Sequence, residues 1–152
     1  MGMTVSRRVF VQAAAAALLV MPARLPAGQA RVSVDAEGVA IRGYDTRAYW
    51  TAGAARPGSA AHVVPWNGAP WHFADAEEAR VFAADPAGSA PQFGGFCTRA
   101  MSMGRVVDSD PEVWRIRDGR LYLFAAPKGG RVFDGQAAEM IAQAQAHWDS
   151  LS

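Results

Sequence analysis

Cysteine is almost absent from this sequence of 152 residues, since Cys97 is the only one. A single cysteine excludes an intramolecular disulfide, and it also excludes a zinc site built from four cysteines. Lysine is equally scarce, with Lys128 alone, and the arginines are spread along the chain rather than clustered. Proteins that bind nucleic acid present clustered basic residues. We therefore expect no nucleic-acid partner.

No apolar run reaches the length of about 20 residues that a membrane-spanning helix needs. The run that comes nearest begins at Val9, ends at Met21 and is interrupted by Gln12. Two arginines precede it in residues 6–11 (SRRVFV), and small residues follow it up to Ala30. This order is typical of a secretory signal peptide of the twin-arginine type. We predict cleavage after Ala30, a twin-arginine export machinery as partner, a periplasmic location and no stable membrane anchor.

Acidic residues are missing from residues 1–30, which contain three of the 15 basic residues of the chain. Without those three arginines, 12 basic residues remain beside 14 acidic ones, so the segment that follows the predicted signal is slightly acidic. Its length is enough for one domain with a modest core. We therefore predict a signal peptide over residues 1–30 and a single domain over residues 31–152.

Turn and cap signals alternate along residues 31–152. Asn67-Gly68 and Asp118-Gly119 each separate two apolar segments, which predicts two antiparallel hairpins. A two-residue Asn-Gly turn would pair Trp66 with Ala69, Val64 with Trp71 and His62 with Phe73. Helices are predicted after Asp75, which has Glu78 three residues on, over residues 96–103, and after Asp134. We predict an α+β fold: a small antiparallel sheet of two hairpins plus short strands, with three or four helices packed against it.

Three stretches of the sequence carry a family pattern: residues 66–75 (WNGAPWHFAD), 82–86 (FAADP) and 90–97 (APQFGGFC). Together they resemble YHS-domain proteins, and more narrowly the exported single-domain bacterial branch of that family. The resemblance extends over residues 39–148. It implies metal binding, because YHS modules occur beside heavy-metal transport proteins, and it implies a metal-handling partner. In this chain Trp71 replaces the tyrosine that gives the family its name, and Ala74 stands where metal-transporter versions can carry cysteine.

Cys97 and Met101 are the sulfur side chains that point to a copper site. They are four residues apart, so they share one face if the segment is helical. Soft sulfur ligands select Cu(I). Met103 is not expected to join Cys97 and Met101 as a ligand, because it would lie on another side of the same helix. His72, which the family pattern retains, is a possible nitrogen ligand. We therefore predict a periplasmic metal-binding protein, copper first, with Cys97, Met101 and His72 as ligands.

Two other function classes stay open. A cysteine at the start of a helix, beside Arg99, is typical of a thiol-dependent redox protein, although the chain contains no resolving cysteine. Alternatively, Cys97 is a core residue of a non-catalytic module that binds a small molecule or a protein. Aromatic side chains line such pockets, and the candidates are Tyr44, Trp50, Trp66, Trp71, Phe93 and Phe96. No phosphate-binding loop or serine-nucleophile motif indicates catalysis.

Overall fold

The structure is a computed structural model that describes residues 31–151. The predicted twin-arginine signal and its cleavage after Ala30 lie outside the described residues, so both stay predictions. In the described part of the chain, no helix combines the length and the apolar character needed to cross a membrane.

Residues 31–151 contain five α-helices and four β-strands, which confirms the α+β class. Two single turns of 3₁₀-helix are also present: Ile41–Gly43 precedes the first helix, and Gln92–Gly95 lies between the third and fourth helices. In chain order the elements are α1 (Ala48–Thr51), β1 (Ser59–Trp66), β2 (Ala69–Phe73), α2 (Ala76–Ala84), α3 (Pro86–Ser89), α4 (Thr98–Ser102), β3 (Asp110–Arg117), β4 (Arg120–Phe124) and α5 (Pro127–Ser150).

Both predicted hairpins form, and within the described residues each is a separate two-stranded antiparallel sheet. Their turns, Asn67-Gly68 and Asp118-Gly119, have positive φ at both positions, which suits the right-handed twist of the flanking strands. The two sheets are not joined into one, and Pro65 and Pro70 each lack the N–H that further pairing of the first hairpin would use. The short strands expected over residues 32–34 and 39–41 reduce to one bridge, which joins Val34 and Ala40.

A bulge in β1 changes the expected register at one point. Trp66 pairs with Ala69 and Val64 pairs with Trp71, as predicted. Beyond Val63 the register shifts, so Ser59 rather than His62 lies opposite Phe73 and the predicted pairing of His62 was wrong. A bulge adds residues to one strand only, and an Asn-Gly turn fixes the register only near the turn.

The helix boundaries follow local caps. The carboxylate of Asp75 accepts the N–H of Glu78 at 2.9 Å, which confirms the predicted start of α2. The start of α5 after Asp134 was wrong, because this helix begins at Pro127 and is interrupted at Gln136, whose φ is −145°. Proline suits the first position of a helix, where its missing N–H costs nothing. Asp134 instead accepts two hydrogen bonds from Arg115, at 2.7 and 2.8 Å.

Two apolar cores lie on opposite faces of β4. Side chains alternate across a strand, and all four apolar residues of β4 are at most 2% exposed. Leu121 and Leu123 belong to the hairpin core, with Val32, Ala40, Ile41, Tyr49, Ala69, Trp71, Phe73, Phe82 and Ala90. Tyr122 and Phe124 belong to the helical core, with Phe93, Cys97, Ala100, Met101, Phe133, Ala137, Met140 and Ala144.

Gly95 lies in the 3₁₀ turn at the junction of these cores, with a φ of +81°. A Cβ atom there would lie 2.7 Å from Cγ2 of Ile41, so Gly95→Ala combines backbone strain with overpacking. Gly104→Ala is the matched control, since Gly104 has a φ of +73° and a Cβ atom on it would meet nothing within 4 Å. We expect Gly95→Ala to lower the free energy of unfolding by about 3 kcal/mol and Gly104→Ala by about 1 kcal/mol, measured by urea unfolding. Equal losses would contradict the steric argument.

Candidate functional site

Cys97 is the N-cap residue immediately before α4, and Met101 lies within that helix. The amide of Met101 donates to the carbonyl of Cys97 at 2.9 Å. The Sγ atom of Cys97 accepts the N–H of Ala100 at 3.4 Å, so the thiol caps the helix. Cys97 is 5% exposed and Met101 is fully buried, and both pack in the helical core. Met103, by contrast, is 49% exposed at the end of α4, which agrees with its expected separation from the other two.

His72 lies elsewhere. It is half-buried on β2 opposite Val63. The His72 ring lies next to Gly43, the last residue of the first 3₁₀ turn. A Cβ atom added to Gly43 would lie 3.3 Å from Nδ1 of His72. The structure thus places the two sulfur side chains in one cluster and His72 against a different segment. Among residues 31–151 no three or more His, Cys, Asp or Glu side chains form a group that could hold a metal ion.

The donors around Cys97 suit a core better than a metal centre. Free cysteine and methionine are common core residues, and Cys97 and Met101 both pack among apolar side chains. One polar atom nearby has no hydrogen-bond partner: Oγ1 of Thr98, the residue that follows Cys97. The available donors are one hydroxyl beside Cys97 and three buried sulfurs in the helical core, those of Cys97, Met101 and Met140. The copper site stays a prediction.

A cleft of about 350 Å³ lies next to the hairpin core. Three separate parts of the chain form it: α1, the segment from α3 to the second 3₁₀ turn, and the turn and first residues of the β3–β4 hairpin. Its lining residues are Trp50, Ala87, Gly88, Ala90, Gln92, Gly119, Arg120 and Leu121.

Asp45 positions α1 and with it Trp50. The Asp45 side chain, in a residue that is 1% exposed, accepts the N–H of Arg47 at 2.8 Å and the N–H of Ala74 at 2.9 Å. Its carbonyl accepts the N–H of Ala48. One residue therefore holds the start of α1 against the end of β2. Burial raises the pKa of the Asp45 carboxyl above its ordinary value, while the bonds from Ala74 and Arg47 act in the opposite direction.

Ser89 joins the first two walls of the cleft. Oγ1 of Thr46 donates to the carbonyl of Ser89 at 2.6 Å, and Nη1 of Arg47 donates to its hydroxyl at 3.2 Å. Nε of Arg47 also pairs with the carboxylate of Glu78 at 3.1 Å. These contacts bind the residues that precede α1 to the end of α3, immediately before the lining residue Ala90. The walls that carry Trp50 and Ala90 are thus held at a defined separation.

The polar groups of the cleft are mainly hydrogen-bond donors. The indole of Trp50 lines the cleft, but its Nε1 atom is buried and is therefore not one of the groups that a ligand would meet. Arg120, at the start of β4, is exposed and takes part in none of the ion pairs within residues 31–151. Gln92 adds an amide, and no lining residue is acidic. A ligand that accepts hydrogen bonds would suit this lining.

Of the aromatic residues proposed from the sequence as pocket candidates, Trp50 alone lines this cleft. Trp71 and Phe93 are core residues, at 1% and 5% exposure, and Trp66 packs edge-on against Phe82 with ring centroids 5.8 Å apart. Sequence reasoning missed Arg120 as a lining residue. An arginine after an Asp-Gly turn is an ordinary hairpin feature, and no local pattern indicates that distant residues form a cleft beside it.

Asp45→Asn tests the buried carboxyl. One of its two acceptor oxygens becomes an NH₂ group that faces an N–H, so we expect a loss of about 1–3 kcal/mol in the free energy of unfolding. The pKa of the Asp45 carboxyl is raised in the folded state. Protonation of this group therefore stabilises the folded state at pH values below its ordinary pKa of 3.8, and this contribution is lost as the pH rises through the pKa of the folded state. Chemical denaturation at several pH values should therefore show a larger difference between wild type and variant in acid than at neutral pH. A difference that shrinks in acid would contradict the raised pKa.

Similarity to known proteins does not assign this cleft or the Cys97 cluster a role. Comparisons with protein-family models, with curated proteins and with solved structures find no significant match. The resemblance to YHS-domain proteins consequently stays a prediction from the three sequence stretches.

Proposed function

We propose that the domain is a non-catalytic binding module that takes a small organic molecule in the cleft beside Trp50. The observation that carries the proposal is the cleft itself, which three separate parts of the chain form around the half-buried indole of Trp50.

The size and composition of the cleft support a small ligand. Its volume of about 350 Å³ lies at the lower end of the range for small-molecule sites, roughly 300–1,000 Å³. The half-buried indole of Trp50 provides an aromatic face, while Gln92 and Arg120 add polar groups. Such sites typically pair apolar surface with a few polar groups that orient the ligand.

The absence of reactive groups among the lining residues supports binding rather than catalysis. Nucleophilic and acid–base catalysis use serine, cysteine, histidine, lysine, tyrosine or carboxylate side chains. None of these is among the lining residues of the cleft. Under this proposal Cys97 is a core and capping residue, and the module works in the periplasm after the predicted export.

The test is a ¹H–¹⁵N spectrum of the indole groups of the five tryptophans during titration with a panel of small compounds. The panel consists of benzoate, benzamide, benzyl alcohol, acetate and butyrate. Trp50→Phe assigns the Trp50 resonance by its disappearance and replaces the indole with a smaller ring. We expect at least one compound to shift that resonance in the wild type. Isothermal titration calorimetry should show that Trp50→Phe weakens the binding of that compound by roughly threefold to tenfold, because the smaller ring leaves less apolar area in contact with it.

Trp148→Phe is the matched control, because Trp148 is half-buried, packs against Phe93 and Phe96 and does not line the cleft. It should leave the affinity unchanged. A panel in which no compound shifts the Trp50 resonance would overturn the proposal, as would equal weakening by the two tryptophan variants.

Copper binding is the second candidate function, and the observation that favours it is the packing of the N-cap residue Cys97 and of Met101 in one core at the start of α4. Under this candidate the two sulfurs would hold Cu(I), with His72 outside the pair, and a metal-handling partner would deliver or receive the ion. A core role makes a different prediction, because a capping side chain can be replaced by any suitable acceptor whereas a thiolate ligand cannot.

Cys97→Ser and Cys97→Ala separate these roles. If Cys97 is a cap, alanine should lower the free energy of unfolding by about 1–2 kcal/mol and serine should recover part of that loss. Cu(I) titration with a competing chelator should then give the same affinity for wild type and both variants. Stoichiometric Cu(I) that binds to wild type and to neither variant would instead establish the copper site.

A further inference from the structure

The start of the described chain is attached to the rest of the domain by buried residues and hydrogen bonds. Val32 is 2% exposed and Ser33 is 4% exposed. The N–H of Ser33 donates to the carbonyl of Gly94 at 2.8 Å, and its hydroxyl donates to Oδ1 of Asp108 at 2.8 Å. The carbonyl of Ser33 accepts the N–H of Ile41 at 2.8 Å. Ser33 is therefore bonded to three separate segments of the domain.

Arg31, the first residue after the predicted cleavage site, is held in the same place. Its guanidinium lies over the indole of Trp148 on α5, 5.3 Å from the ring centroid, which is a cation–π contact. Its carbonyl lies against Gly94, where an added Cβ atom would clash with it. The predicted scissile bond joins Ala30 to the nitrogen of Arg31. One side of this bond therefore belongs to a half-buried residue that contacts the folded domain.

We infer that the folded domain protects its own predicted cleavage site, so that cleavage after Ala30 requires residues 31–33 to detach first. A peptidase draws the chain on both sides of the bond into its active site, and proteolysis accordingly concentrates at exposed backbone. The bond before Arg31 is one residue away from the buried Val32. A twin-arginine route would deliver the domain already folded, and the peptidase would then meet the attached form. The inference rests on the predicted signal peptide and does not depend on a ligand in the cleft.

The first test compares the full-length chain with a synthetic peptide of residues 8–40, which contains the same bond without the domain. Purified signal peptidase cuts each substrate, and mass spectrometry follows the product that begins at Arg31. We expect the full-length chain to be cut about a hundredfold more slowly, because the rate follows the population of the opened form and opening breaks hydrogen bonds and exposes a valine. Equal rates would overturn the inference, and so would a peptide that is not cut after Ala30.

Ser33→Ala weakens the attachment without changing the bond that is cut. The variant loses the hydrogen bond to the carboxylate of Asp108, and we expect the full-length variant to be cut about fivefold faster than wild type. Ser102→Ala is the matched control, because the Ser102 hydroxyl donates a bond of the same length, 2.8 Å, to the carbonyl of Arg99 in α4. The control should be cut at the wild-type rate. Equal rates for the two variants would overturn the role of the attachment.

Local detachment is distinguishable from a general loss of stability in Ser33→Ala. Trypsin cuts after arginine, and residues 99–131 contain several arginines far along the chain from the attachment. If only residues 31–33 detach more easily, cleavage after Ala30 becomes faster while trypsin cuts residues 99–131 at the wild-type rate. Parallel acceleration at both places would mean that the whole domain opens, which would overturn the inference of local protection.

Discussion

The burial of β4 on both faces is the constraint on which the rest of the domain depends. Leu121 and Leu123 pack into one core and Tyr122 and Phe124 into the other, so a strand of five residues serves two apolar layers. A small domain has little surface to bury. Because both cores share β4, the first hairpin and α2 cover one face of this strand, while α4 and α5 cover the other. Its first residue, Arg120, remains exposed, and this places a charged side chain beside Leu121 at the edge of the cleft.

This division also separates the two candidate sites. The sulfur side chains of Cys97 and Met101 lie in the helical core, whereas the cleft lies beside the hairpin core. Cys97 is engaged as a helix cap and Met101 is enclosed by apolar side chains, which accounts for both without a ligand. Trp50, by contrast, is only half-buried and lines the cleft, and so the cleft rather than the cysteine carries the functional proposal.

Much of the local structure was predictable because its causes are local. Asn67-Gly68 and Asp118-Gly119 specify tight turns through their positive φ values, and Asp75 caps α2 through a bond to a residue three positions on. The predictions failed where the cause is distant. The bulge that displaces His62 lies away from the turn, and the early start of α5 leaves Asp134 to pair with Arg115 of β3. Neither is visible in short-range patterns.

The sequence by itself determined the α+β class, the two hairpins and the scarcity of ligands that a single cysteine imposes, because these follow from composition, turn chemistry and apolar spacing. Only the tertiary structure decided which aromatic residue lines a cleft, since Trp50, Ala90 and Arg120 come from three segments that meet through Asp45, Ser89 and the shared strand β4. The burial of a side chain and the loss of its hydrogen-bond partners depend on contacts between distant segments, and a local pattern does not contain them.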